Sequence, residues 1–263
     1  MDIIIYILVF IFGLLIGSFL NVCIYRIPKG ETIVTGRSHC MNCNQDLRWY
    51  DLLPLVSFLL IGGKCRYCKT KLSAQYPIIE LVNGLFYVLV FYIHGWQSST
   101  IILLNIIYTL SISVLIVVSV IDYRTYTIPG ILNKSLLVLS FIAVIIKYFG
   151  TDRSTSILKD HVIGFFAIST FLAIIFYLTN GRGIGGGDVK LMASAGLLLG
   201  WKLVILSFIL GAVFAAVIHI LKMRLMNAEN TLAFGPYLSA GIVVSLLFGN
   251  DIINWYINYI LSI

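Results

Sequence analysis

The chain of 263 residues is 60% hydrophobic and only 11% charged, with a formal net charge of +7 and a mean hydropathy of +1.00. A soluble domain carries about 25% charged residues, so the composition excludes an ordinary water-soluble globule and predicts an all-α integral membrane protein. The positive charge does not predict nucleic-acid binding, because Lys and Arg sit in short segments between apolar runs and no basic stripe interleaves with aromatics.

Ile3 to Tyr25 carries no charge. It has neither a basic segment ahead of it nor an Ala-x-Ala site after it, so it reads as a retained first span rather than a cleavable signal peptide. Leu81 to Ile121 also lacks Asp, Glu, Lys and Arg. At roughly 20 residues per crossing, it predicts two spans folded at His94 to Ser99. Further spans are predicted at 131–146, 161–179, 189–200, 203–221 and 232–248. This gives about eight transmembrane helices, the sixth of them short. The aromatic-rich stretch 250–263 predicts an interfacial segment. The predicted organisation is a first span (1–25), a cysteine-bearing module (26–77), a seven-span domain (78–249) and the interfacial tail (250–263).

Threading these spans alternately, with the amino terminus outside, leaves only Lys147, Arg153, Lys159 and Lys202 on the outer face; the other 14 of the 18 basic residues fall inside. Positive charge marks the cytoplasmic side. Residues 26–77, Asp122 and Asp188 are therefore expected at the cytoplasmic face.

Two Cys-x-x-Cys pairs, Cys40/Cys43 and Cys65/Cys68, lie in that module with 21 residues between them. Each spacing lets two thiolates face one centre, and four satisfy a tetrahedral zinc ion. A reducing cytoplasm favours metal over disulfides. Such a site is structural, since four thiolates leave no position for a catalytic water. A redox Cys-x-x-Cys without metal is the competing reading, and His39 is an alternative ligand. Cys23 reads as a lone buried thiol.

Three acids stand at or within spans: Glu80, Asp122 and Asp188. Intramembrane acids face protein or water, not lipid. Asp122 ends the third span and Asp188 opens the sixth, at the same predicted depth. Two adjacent carboxylates in a low dielectric share a proton, so that one serves as base and the other as acid. Such a pair can activate water against a peptide bond. The glycines of Gly181-Arg-Gly-Ile-Gly-Gly-Gly-Asp188 would clear room for close backbone approach. Asp188 is also readable as a helix cap, and Glu80 as a satisfied polar partner. No His-Glu-x-x-His or Gly-x-Ser-x-Gly offers another hydrolytic chemistry.

Gly17-Ser-Phe-Leu-Asn-Val-Cys-Ile-Tyr-Arg-Ile-Pro28, the paired Cys-x-x-Cys module, Tyr76-Pro-Ile-Ile-Glu80, Asp122 seven residues before Pro129, Gly185-Gly-Gly-Asp188-Val-Lys-Leu191 and Phe234-Gly-Pro-Tyr237 follow in that order. In this order the chain resembles the prepilin peptidases, or type IV leader peptidases. The resemblance implies a membrane aspartyl protease with Asp122 and Asp188 as its catalytic pair. Its partners would be membrane lipid and type IV pilin-like precursors, prepilins or competence pseudopilins. It would remove their short basic leader at the cytoplasmic face of the bacterial inner membrane, between a glycine and usually a phenylalanine. Many members also methylate the new amino terminus with S-adenosylmethionine; there the cysteine module and nearby segments are implicated, and Glu80 is the candidate residue here. Residues 26–77 contain no Gly-x-Gly-x-x-Gly loop that would support this independently. Two other readings remain at this stage. One is a different Gly-x-Gly-Asp intramembrane protease, although those pair the loop with Tyr-Asp and here the order is Asp122-Tyr123. The other is a non-enzymatic transporter or scaffold using the acids as ion ligands.

Overall fold

The computed structural model describes residues 2–150, 153–226 and 232–261. Among these residues the protein is helical or irregular. The only extended pairings are the isolated bridges His39–Asp46 and Lys64–Lys71. The chain divides into two compact units, Met1–Gly95 and Trp96–Ile263. The second span thus belongs with the first span and the cysteine module, rather than with the later spans as the sequence suggested.

In the first unit, α1 (Asp2–Arg26) packs on α3 (Gln75–His94), with a 3₁₀ turn (Trp49–Leu52) and the short α2 (Val56–Leu60) in the segment between. Small residues let the two long helices touch backbone to backbone, the usual basis of association where lipid removes the hydrophobic drive. A Cβ on Gly17 would lie 2.7 Å from the Cα of Glu80. The Asn83 amide donates to the Gly13 carbonyl at 2.7 Å. Only a glycine lets α3 come this near, and the contact sets Glu80 against α1.

The second unit comprises α4 (Ser99–Thr125), α5 (Gly130–Gly150), α6 (Thr155–Leu178), α7 (Gly186–Leu199), α8 (Trp201–Met226) and α9 (Gly235–Leu261). Seven helices of the described chain are long and apolar enough to cross a membrane: α1, α3, α4, α5, α6, α8 and α9. The sixth predicted span is different. The helix α7 has 14 residues, or about 21 Å at 1.5 Å per residue, against an apolar bilayer core of roughly 30 Å. The cause is local, because the chain turns at Gly200 in a positive-φ conformation (φ 88°) and the glycine run stands at the other end. Leu191, Met192, Ala195 and Leu198 are fully buried, and α7 packs against α5, α6, α8 and α9. It is an interior helix rather than a lipid-facing one.

Hydrogen bonds hold α7 at both ends. Near its start, the Asn133 amide of α5 donates to the Gly187 carbonyl at 3.2 Å. Near its end, the Lys147 ammonium donates to the Leu198 carbonyl at 3.3 Å, and the His161 ring lies 2.7 Å from the Leu197 carbonyl. Lys147 is in the last turn of α5, so α7 still threads the bundle in the expected direction. The tail also differs from expectation. No break separates residues 250–261 from the last span; they are the final turns of α9, a single helix of 27 residues. Residues 262 and 263 lie outside the described part.

Candidate active site and metal centre

Asp122 occupies the last turn of α4. The helix stops there because Tyr126 adopts a left-handed conformation (φ 53°) and returns its N–H to the Asp122 carbonyl at 2.8 Å. Ile128, Pro129 and Gly130 then lead into α5. The Asp122 side chain is buried, and its Oδ2 accepts the backbone N–H of Gly235 at 2.9 Å. Gly235 is the first residue of α9. Asp122 therefore sits where unsatisfied amides and the helix dipole favour an anion. The Phe234-Gly-Pro-Tyr237 motif acquires a reason: Gly235 gives the N–H, and Pro236 follows in the first turn, where a helix needs no donor. A Cβ on Gly235 would stand 2.8 Å from Asp122 Oδ2.

Asp188 lies in the first turn of α7 but is not its cap. Gly185 is the N-cap residue, with no side-chain cap, and the Asp188 N–H returns to the Gly185 carbonyl at 3.1 Å. This removes the cap as the reason for the carboxylate. A Cβ on Gly185 would come within 3.2 Å of Asp188 Oδ2, and one on Gly187 within 3.0 Å of the Ile128 side chain. The glycine run is thus a close approach between the start of α7 and the linker that leaves α4. This sets the start of α7, and Asp188 with it, against the linker that follows Asp122. Both acids lie at one end of the second unit, and among the described residues neither makes an ion pair with Lys, Arg or His. Two buried carboxylates without a cation can share a proton, divide into acid and base, and take up a water between them.

The four cysteines of the first unit come together. Their sulfurs all lie within 4.8 Å of one another, and Cys40 Sγ is 3.8 Å from Cys68 Sγ. A tetrahedral zinc ion with bonds of about 2.3 Å places its sulfurs ~3.8 Å apart, so the donor set fits the ion. His39 is not among the four. The two pairs are built as copies of one turn. Cys40 donates its N–H to Gln45 O at 3.0 Å and Cys65 to Thr70 O at 2.8 Å. Asn44 and Lys69, each four residues past the first cysteine, take positive φ of 55° and 59°. Across the pair, the Asn42 amide reaches Thr70 Oγ1 at 2.9 Å and Cys68 Sγ at 3.7 Å. The Thr70 hydroxyl and N–H and the Asn42 amide pull the Cys68 thiol down, while burial and the neighbouring sulfurs push the Cys43 thiol up. Cys23 is buried in α1 and takes no part.

Glu80 is buried in the first unit and accepts the N–H of Leu55 on Oε2 at 2.9 Å. Leu55 has a positive φ of 58°, a strained corner for a non-glycine residue, so Glu80 pins the turn into α2. The sequence reading had singled out both aspartates, Glu80 and the four cysteines. It had assigned no role to Gly235, Asn133, Asn42 or Thr70. The sequence signal for Gly235 is the Phe234-Gly-Pro-Tyr237 motif, which carries the resemblance without stating what the glycine does.

Paired buried aspartates at one end of a helical membrane bundle are the arrangement that a membrane aspartyl protease would need. Comparison with known proteins specifies it further. Residues 11–94 match the bacterial peptidase A24 N-terminal domain, and residues 109–220 match the type IV leader peptidase family. The chain belongs to that family. It is 31% identical to the prepilin leader peptidase/N-methyltransferase of Pseudomonas aeruginosa, over 94% of this chain and 91% of the relative. It is 35% identical to the Bacillus subtilis protein of that name, over 97% of this chain and 99% of the relative. A Neisseria gonorrhoeae protein, also so named, is 31% identical over 95% and 93%. No solved structure matches the chain.

Proposed function

We propose that this chain is a bacterial prepilin leader peptidase/N-methyltransferase, in which Asp122 and Asp188 hydrolyse the leader bond. One observation carries the peptidase assignment: two buried aspartates, 66 positions apart in sequence, share one end of the second unit, with no cation paired to either among the described residues. The pair holds one proton. The ionised member takes a proton from a bound water as the oxygen adds to the scissile carbonyl. The protonated member gives its proton to the departing amide nitrogen, leaving a carboxyl on the leader and an amine on the mature protein. The N–H of Gly235 keeps Asp122 oriented through both steps.

The substrates are type IV pilin-like precursors, whose basic leader and apolar helix place the scissile bond at the membrane boundary. The excess of positive charge in residues 26–77 and in the loops next to both aspartates supports the cytoplasmic face as the place of the reaction. Zinc is the ion of the four-cysteine centre and is structural, because four sulfurs close its shell. S-adenosylmethionine supplies the methyl group for the second activity.

The test uses purified protein and a pilin-like precursor, read by mass spectrometry. Asp122→Asn and Asp188→Asn keep the shape and remove the charge. Each is expected to abolish leader removal while the protein still inserts and binds zinc. Full cleavage by either variant would sink the two-aspartate mechanism.

A further inference from the structure

Leu52 to Gly63 is a run of the first unit without Asp, Glu, Lys or Arg, and its side chains divide between two faces. Ser57, Phe58 and Ile61 turn toward a cavity whose wall also includes Leu15, Ser18 and Phe19 of α1. Val56, Leu59 and Leu60 of α2 are not on that wall and stand 52%, 75% and 79% exposed; Trp49, in the 3₁₀ turn ahead of them, is 75% exposed. Large apolar side chains exposed as a group mark a contact surface.

Their depth says what covers them. The N–H of Leu55, just ahead of α2, donates to Glu80 Oε2 at 2.9 Å. From Gln75, where α3 begins, to Glu80 the helix rises about 7.5 Å. On α1, Gly17 lies against Glu80, and about 14 Å of helix separates Gly17 from Arg26 at the end of α1. Both helices are long and apolar enough to be spans, so the start of α2 is level with their inner turns rather than beyond their ends. Charge agrees with that placement. Residues 26–77 carry eight basic residues against three acids, an excess that outlasts the double negative charge of a four-thiolate zinc centre. Arg48 and Lys64 flank the apolar run, are exposed, and make no ion pair among the described residues.

We propose that α2 and the turn ahead of it dock on the bilayer itself. Trp49, Val56, Leu59 and Leu60 lie in the boundary between headgroups and acyl chains of the cytoplasmic leaflet, and Arg48 and Lys64 meet its anionic phosphates. Interfacial helices bury their apolar face ~5–10 Å into that boundary, the depth at which Glu80 holds the start of α2. Trp favours the same level, and the anionic inner leaflet draws basic segments to it. A precursor's apolar helix would need a groove along its length, whereas α2 is five residues long. The cysteine module is thus fastened to the leaflet along its own surface, and not only by the two spans that carry it. The inference does not depend on either enzymatic activity.

The experiment places the full-length protein in nanodiscs whose lipid carries a photoreactive diazirine high on one acyl chain, and maps the labelled peptides after irradiation. Label is expected in residues 49–64 as well as in α1 and α3. Relative to α1, it is expected to be at least about twofold stronger in phosphatidylglycerol than in phosphatidylcholine. Leu59→Gln combined with Leu60→Gln is expected to cut the label in 49–64 by about fivefold and open that segment to protease, with zinc content unchanged. Wild-type labelling decides the matter if this variant does not fold. A wild-type protein labelled in α1 and α3 but not in 49–64 overturns the docking, as does a folded double variant labelled like wild type. Label in 49–64 that is displaced when a pilin-like precursor is added assigns the face to the precursor and overturns it too. Equal label in the two lipids overturns the part given to Arg48 and Lys64.

Discussion

Gly235→Ala isolates one contact. Gly235 does not have positive φ, so alanine can adopt its backbone conformation, and alanine in a helix is favoured over glycine by up to ~1 kcal/mol. The penalty comes from Asp122. The new methyl would stand 2.8 Å from its Oδ2, 3.0 Å from Cγ and 3.1 Å from Cβ, where ordinary contact begins at 3.4 Å. The carboxylate must therefore retreat by about 0.6 Å, which stretches its bond to the Gly235 N–H. A hydrogen bond to a charged group contributes ~1.5–3 kcal/mol, and a misplacement of about 1 Å at a reacting group can cost ~100-fold in rate. We expect Gly235→Ala to melt within a few degrees of wild type and to lose ~10–100-fold in kcat for leader removal, with zinc content unchanged. The assay is the precursor cleavage reaction at saturating substrate, followed by mass spectrometry. A folded Gly235→Ala protein that cleaves within about twofold of wild type would show that Asp122 does not depend on this amide. Gly187→Ala, whose methyl would press on Ile128 at 3.0 Å, should fall between Gly235→Ala and wild type.

Asn133→Ala removes the bond to the Gly187 carbonyl. It should lower stability by only about 1 kcal/mol yet slow cleavage roughly tenfold by loosening the turn before Asp188, as a kcat series including Asn133→Gln would reveal. Lys147→Met strips the cation from the carbonyl end of α7; thermal scans should show a loss of ~1.5–3 kcal/mol, with Lys147→Arg recovering part of it. A strong chelator should remove roughly one zinc ion per chain, measured by atomic emission, and open residues 30–75 to protease. Acid should do the same. Zinc is held by deprotonated sulfurs, so protons compete with the ion for all four ligands as pH falls. Zinc retained at pH 4 would contradict that assignment.

Much of the site was readable because its residues are hard to explain otherwise. A carboxylate in an apolar run needs a reason to persist, which drew attention to Asp122 and Asp188. Two identical Cys-x-x-Cys spacings leave few alternatives to a metal. The amide partner of Asp122 was hidden, because Gly235 lies 113 positions away and only the fold brings it there. The length of α7 was hidden too. An apolar run such as 189–200 has the same composition whether it faces lipid or other helices, and its shortness follows from the turn at Gly200. The interfacial reading of 250–263 rests on its aromatic content, which does not reveal that residues 250–261 continue α9 without a break.

The duplicated cysteine turn has a topological consequence. Each copy contributes two sulfurs to one point, so the 21 residues strung between the inner cysteines become a closed ring clasped by a single ion. Closing such a ring in advance lowers the entropy of every disordered alternative open to it. A bound ion would therefore steady not only its four ligands but also the strained corner at Leu55, whose own sequence does little to hold it. Release of that ion would free the whole ring at once rather than by halves.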